Sequence, residues 1–179
     1  SLTAGAGSID FQDAVGGIVD LGDVAVASAL NVTADVNGFN ANTFTQSAGT
    51  GATTINGPVV LNGAGGLDVT TSGVAVNSTI NTLAAANGGT VTITNGGLLD
   101  IASGADLSLD GAFLQDGAGA VQSAGDVVTT GDGITFTTAV TLTDDESVVM
   151  STGGGVGDIT YVSTLNGEGV DFSELLSLT

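Results

Sequence analysis

Between Gly88 and Thr143 the chain is a series of short runs in which apolar and polar residues alternate. In Thr90-Val91-Thr92-Ile93-Thr94 and in Leu107-Ser108-Leu109 the aliphatic side chains fall on one face and the hydroxyls on the other, as in a half-buried strand. Each run ends within a few residues at Asn-Gly, Asp-Gly or Gly-Gly, too soon for a helix of normal length. The same alternation predicts strands over Ile9 to Phe11, Val24 to Ala27, Leu30 to Thr33, Thr43 to Thr45, Val59 to Leu61, Leu67 to Thr70 and Val74 to Val76. It resumes at Ser147 to Met150, Ile159 to Val162 and Leu175 to Leu178. The corners are written as Asn37-Gly38, Asn56-Gly57, Asn62-Gly63, Asn87-Gly88, Asn95-Gly96 and Asn166-Gly167, residues that tolerate the left-handed backbone of tight turns. Pro58 stands just before a strand, where its missing N–H costs least. Ser78 to Ala86 reads as a strand followed by a loop.

Turns this frequent, with faces this narrow, predict a coil of stacked rungs rather than a sandwich of two sheets. The expected fold is all-β, a single-stranded parallel β-helix (β-solenoid) with about 20 residues per coil, which gives about nine coils and a rod on the order of 40 Å long. Residues 1–179 are read as one β-solenoid segment. A motif recurs in it: aliphatic, spacer, aromatic, three spacers, aliphatic. It appears at Ile9-Asp10-Phe11 with Val15, Ile134-Thr135-Phe136 with Val140, Ile159-Thr160-Tyr161 with Leu165, and Val170-Asp171-Phe172 with Leu176, each preceded by glycine within two residues. The chain also opens on Ser1-Leu2-Thr3 and closes on Ser177-Leu178-Thr179. Overlaying these triplets predicts one unit of a tandem array with a period near 176 residues, Ser1 beginning in mid-pattern. No charged, proline-rich or helical cap is written at either terminus, so each open end is expected to be continued.

Composition narrows the partners. Of 179 residues 42% are apolar and only 4% aromatic, so the core must be thin and aliphatic. There are 19 acidic residues and no Lys, Arg or His, for a net charge of −19. Nothing in such a chain neutralises phosphate, which excludes nucleic acid as a partner, and no basic patch can hold an anionic membrane. The sequence has no apolar run long enough for a membrane-spanning helix. It has no cysteine for a disulfide or a thiolate metal site. Without Lys or Arg, trypsin is expected to leave the chain uncut, folded or unfolded.

The phrases SLTAGAGSIDF, FTQSAGTGATTINGPVVLNGAGGLDV, LDGAFLQDGAGAV and TTGDGITFTTAVTLT resemble the repeats of filamentous-haemagglutinin-like large exoproteins, bacterial surface adhesins. The resemblance covers nearly the whole chain; the complete lack of Lys and Arg departs from it. It implies a right-handed parallel β-helix, an extracellular, cell-surface location, and a role in adhesion or in building filaments.

Catalysis without His, Lys, Arg or Cys is left to carboxylates and hydroxyls. A glycosidase needs only two carboxylates, but the acids here are spread singly and no long loops wall a cleft, so no enzyme activity and no cofactor is expected. Calcium is the one metal to consider, because it takes oxygen ligands. The candidates are Asp144, Asp145 and Glu146, the only run of three acids, followed by the pairs Asp10 with Asp13 and Asp20 with Asp23. The stretch Gly153 to Tyr161 is similar to a glycine-rich calcium nonapeptide but is one residue short and not repeated. Solvated acids on corners are the simpler reading. Thr90, Thr92, Thr94 and Thr137, Thr138, Thr141, Thr143 are too irregular for an ice-binding face. Asn31 and Asn77 begin glycosylation sequons. Two functions remain: a structural rod module whose partners are copies of itself end to end, joined covalently or stacked, and an adhesin module that binds carbohydrate or a host surface. The aromatic residues Phe11, Phe39, Phe44, Phe113, Phe136, Tyr161 and Phe172 fall at core-facing positions, which favours the rod.

Overall fold

The computed structural model describes residues 1–35, 37–84, 88–143, 147–168 and 175–179. Those residues form an all-β solenoid without a helix, parallel strands stacked in about 7 turns of about 22 residues. Each turn contributes up to three short strands, so the rod has three faces. Face II is an 8-stranded sheet running from Ile9–Phe11 to Leu165–Gly167. Its steps range from 19 residues, between Val121 and Val140, to 25, between Val74 and Leu99. The second sheet forks. In the long strand Phe39–Gln46, residues Phe39 to Ala41 pair with Val59–Leu61, while Phe44 to Gln46 pair with Leu67 to Val69. From there face I climbs through Val91–Asn95, Phe113–Asp116 and Ile134–Phe136 to Ile159–Tyr161. Face III climbs through Ile80–Asn81, Leu107–Leu109, Val127–Thr129 and Ser147–Ser151 to Leu175–Leu178.

The fork follows from the corner sequences. FNANTFTQ, residues 39–46, contains no glycine and runs straight from face III to face I. One turn later the same corner reads Asn62-Gly63-Ala64-Gly65-Gly66 and bends. Gly66 has a φ of 52°, and a methyl group there would collide with the carbonyl of Thr90 in the next rung. Only glycine combines that backbone with so close an approach.

Inside, alternation becomes burial. Val59–Leu61, Leu99–Ile101, Leu107–Leu109 and Val140–Leu142 each bury their first and third residues and half-expose the second. In-register stacking turns these positions into ladders, for instance Val74, Leu99, Val121 and Val140 on face II. Each fully buried aliphatic side chain contributes roughly 1.5–3 kcal/mol. The phenylalanines join across rungs: Phe11–Phe39 and Phe39–Phe44 meet edge to face at 5.4 and 5.3 Å, and Phe136 stacks on Tyr161 at 5.4 Å.

Register also explains how a chain of net charge −19 folds. Asp10 lies beside Thr33, Asp23 beside Thr43, and Asp68 between Thr45 and Thr92. Asp100 lies between Ala75 and Gln122, and Asp116 beside Thr94. Among the described strands no two carboxylates stand directly opposite, the arrangement that would cost stability.

Three expectations need correction. The turns, of about 22 residues, are close to the expected 20, but there are about 7 rather than nine, and seven steps of about 4.8 Å make a rod of roughly 34 Å. The recurrent motif marks a strand, a corner and the next strand, not a fixed place in the turn. Ile134–Phe136 and Ile159–Tyr161 are neighbours on face I, but Ile9–Phe11 lies on face II, and Val170 to Phe172 fall outside the described residues. The two Ser-Leu-Thr triplets are not equivalent either: Leu2 pairs with Val26 on face I and Leu178 with Met150 on face III. The expected strands otherwise match to within a residue or two, except that Leu21–Ser28 and Phe39–Gln46 begin three and four residues before the expected Val24 and Thr43. Ile80–Asn81 is the strand of the stretch beginning at Ser78, although Ala85, Ala86 and Asn87 lie outside the described residues.

Candidate functional site

Polar chemistry in this molecule first serves the corners. Gln46, Asn95 and Gln115 are buried where face I turns into face II. The Gln115 amide donates to Asn95 Oδ1 at 2.8 Å, and Gln115 Oε1 accepts from the backbone N–H groups of Thr137 and Thr138 at 3.1 and 3.3 Å. Asn95 Nδ2 donates to the carbonyls of Gly97, at 2.6 Å, and Ala120. Gln46 Oε1 accepts from Thr53 Oγ1 at 2.7 Å, while its Nε2 has no partner. Thr82 and Thr129, buried at the corner from face III to face I, donate to the carbonyls of Gly89 and Asp132. Each of these polar residues satisfies backbone or side-chain groups at a turn that would otherwise be buried unpaired.

The acidic side chains also hold neighbouring rungs. Asp106 accepts from the N–H of Asp126, and Asp126 from that of Val149 one rung further, at 3.2 and 2.8 Å. Asp20 accepts from Asn62 at 2.6 Å. Asp23 accepts from Asn42 at 2.6 Å and from Thr43 at 2.9 Å, and these two donors hold its carboxyl below the ordinary aspartate range. Asp10 accepts from Gln12, and Asp13 from the N–H of Ala14. The calcium candidates Asp144, Asp145 and Glu146 lie outside the described residues. Among the described residues no three acidic side chains gather as a metal site would require. The sequon asparagines are engaged as well. Asn31 accepts from the N–H of Ala52, and Asn77 donates to Asn56.

On the side of the rod an open groove of about 420 Å³ follows the corner from face I to face II, past Gly49, Thr71, Asn95 and Gly117. The enclosed space among Val32, Phe39, Phe44, Ile55 and Leu67 is an apolar packing gap of about 20 Å³. Exposed apolar residues lie at two corners: Leu30, Leu98 and Val162 where face I turns into face II, and a second group where face III turns into face I. Ile18 is 100% exposed, Val19 77% and Val156 97%, and Leu83 occupies the same corner three turns above Ile18. Among the described residues no helix is long and apolar enough to cross a membrane.

The ends differ from the sides. Inward-facing residues of the first rung, Ile9, Phe11 and Val15, are only half buried, and so are Ile159, Tyr161, Leu165 and Leu176 of the last. Their equivalents on the middle rungs, such as Leu99, Ile101 and Leu107, are fully buried. Beside this open end the Tyr161 hydroxyl is shut off from solvent without a hydrogen-bond partner, and burial pushes its pKa up to about 12. Compared with family models, with curated proteins and with solved structures, the chain matches none of them.

Proposed function

We propose that this chain is a structural module of an extracellular bacterial filament or giant surface adhesin, forming a rigid, protease-resistant rod by end-to-end continuation. One observation carries the reading: the described strands stack parallel and in register, rung upon rung at similar width, a construction that lengthens by adding rungs. The resemblance of the chain's repeats to filamentous-haemagglutinin-like exoproteins supplies the surface location. The lack of Lys and Arg denies trypsin-like proteases a site. A sugar-binding face would turn aromatic rings outward, whereas Phe39, Phe44, Phe113 and Phe136 are buried in the core, so the structural role is favoured over carbohydrate recognition and over catalysis.

Electron microscopy of native material, averaged along the long axis, tests the proposal. Continuous filaments should show an axial repeat near 38 Å, eight rungs at about 4.8 Å. Isolated rods of roughly 34 Å, seven steps of about 4.8 Å, would overturn it.

A further inference from the structure

We infer that two copies of the chain lie side by side and antiparallel along the corner from face I to face II, with Leu98 of each seated over Gly73 of the other. The inference goes beyond end-to-end continuation and concerns only the side of the rod.

Charge selects the edge. The corner residues there are 29–31, 47–51, 72–73, 96–98, 117–120, 137–139 and 162–164, and none of them is acidic. The other two corners carry acids on several rungs. Asp13, Asp106 and Asp126 stand where face II turns into face III, and Asp20, Asp132 and Asp158 where face III turns into face I. In a chain of net charge −19 without Lys, Arg or His, a second copy approaches most closely where carboxylates are absent.

Shape selects the alignment. The residues just before the face II strands stack into a column: Asn31, Ala52, Gly73, Leu98, Ala120 and Ala139. Leu98 is the one large apolar side chain in that column, and it is 43% exposed although rungs pack on both sides of it. Counting rungs from the one that holds Ile9, the groove runs from Gly49 on the third to Gly117 on the sixth, so its midpoint lies between the fourth and the fifth. Internal packing keeps it open. A methyl group at Gly49 would strike Gln46 Nε2 and Thr71 Oγ1, and one at Gly117 the carbonyl of Asn95.

A two-fold axis across the rod at this midpoint sets the fourth rung against the fifth and the third against the sixth. Leu98 then faces Gly73, and Ala52 faces Ala120. The flanking carboxylates meet uncharged residues: Asp100 faces Ala75, Asp68 faces Thr92 and Asp116 faces Ser47. An axis through the fifth rung would instead set Asp100 against Asp100 and Leu98 on Leu98, and one through the fourth would set Asp68 against Asp68. A parallel pair, with the axis along the rod, also stacks Leu98 on Leu98 and leaves the groove empty. The contact is isologous and closes as a pair. A strip about five residues wide and seven steps long covers on the order of 550 Å² per copy, near the lower limit of a specific interface.

Sedimentation equilibrium at about 1 mM chain should therefore show pairs in exchange with monomers. Leu98→Asp should weaken pairing by roughly ten-fold or more, while Ile18→Asp, a more exposed change on the corner from face III to face I, should leave it unchanged. A chain that stays monomeric, or an Ile18→Asp variant weakened as much as Leu98→Asp, would overturn the edge. The chain has no cysteine of its own, so Leu98→Cys and Gly73→Cys can be made separately and mixed under mild oxidation. A Cβ at Gly73 meets the Leu98 carbonyl at an ordinary 3.5 Å, and unchanged far-ultraviolet dichroism checks the fold of each variant. Disulfides between the two variants should form faster than those of Leu98→Cys with itself. Equal or faster self-pairing of Leu98→Cys would overturn the alignment, and no covalent pair of either kind would overturn the contact. End-to-end stacking adds species larger than a pair and is untouched by Leu98→Asp, so the two readings fail separately.

Discussion

The fifth rung, built on Val91, Leu99 and Leu107, and the eighth, built on Ile159, Leu165 and Leu178, are written in the same alternation. In the fifth, Val91, Ile93, Leu99, Ile101, Leu107 and Leu109 are all buried. In the eighth, Ile159, Tyr161 and Leu165 are half-exposed, and Leu178 is 53% exposed. The difference lies in the neighbours rather than in the strands. A rung cannot cover its own inward side chains, so burial is supplied by the rungs above and below. The terminal rungs therefore act as a core and as a surface at once.

The largest test compares equivalent deletions in the two places. Leu99→Ala should cost about 3 kcal/mol in denaturant unfolding followed by circular dichroism, because it leaves a cavity in a packed ladder. Leu165→Ala, on the same ladder, should cost the isolated chain only about 1 kcal/mol. Equal losses would mean that the end is as well packed as the middle.

Gln115→Ala should come next, at about 2 kcal/mol, since it strands the N–H of Thr138 and the Asn95 amide oxygen at a buried corner, while the Thr137 N–H keeps its bond to the backbone carbonyl of residue 115. Thr92→Ala, an outward change on the same face, should stay within about 0.5 kcal/mol.

Tyr161, the only tyrosine in a chain without tryptophan, reports on the open end. Its folded pKa, about 12, lies above the ordinary value of 10.0. Its contribution to stability is therefore complete below pH 10 and is lost as the pH rises through about 12. Tyrosinate absorbance should show a midpoint near 12, whereas a midpoint near 10 would mean that the last rung is frayed.

Asp23 should give the smallest effect. With its carboxyl held below the ordinary 3.8 by Asn42 and Thr43, its contribution is present above that value and fades as the pH falls through the lowered one. Carboxyl titration followed by NMR should find that low midpoint, and Asn42→Ala should move it back toward 3.8.

Much of the fold could be read from the chain because alternation and glycine breaks are local signals. Ile9–Phe11, Val59–Leu61, Leu107–Leu109 and Leu175–Leu178 match the expected strands. The length of the turn could not be read in the same way, because it depends on corners that each find their own path. The corner from face III to face I takes five residues from Phe39 to Phe44 and eleven from Ile80 to Val91. The buried polar corners were missed although a signal was present. Gln46 is in phase with Phe44, Gln115 with Phe113, and Asn95 with Val91 and Ile93, so each stands where an inward residue belongs. A polar residue in the apolar phase just before a glycine-rich break marks a carbonyl or N–H that needs a partner. The open ends have no local signature, since half-burial there comes from the position of the rung in the stack.

The hydrogen bonds that join one rung to the next lie along the rod. A pull on the two ends would therefore load them one rung at a time, like tape lifted from a reel, rather than sharing the load across a sheet. The same arrangement resists bending and compression, because every rung rests on the full width of the one beneath. A rod of this construction is a strut rather than a cable.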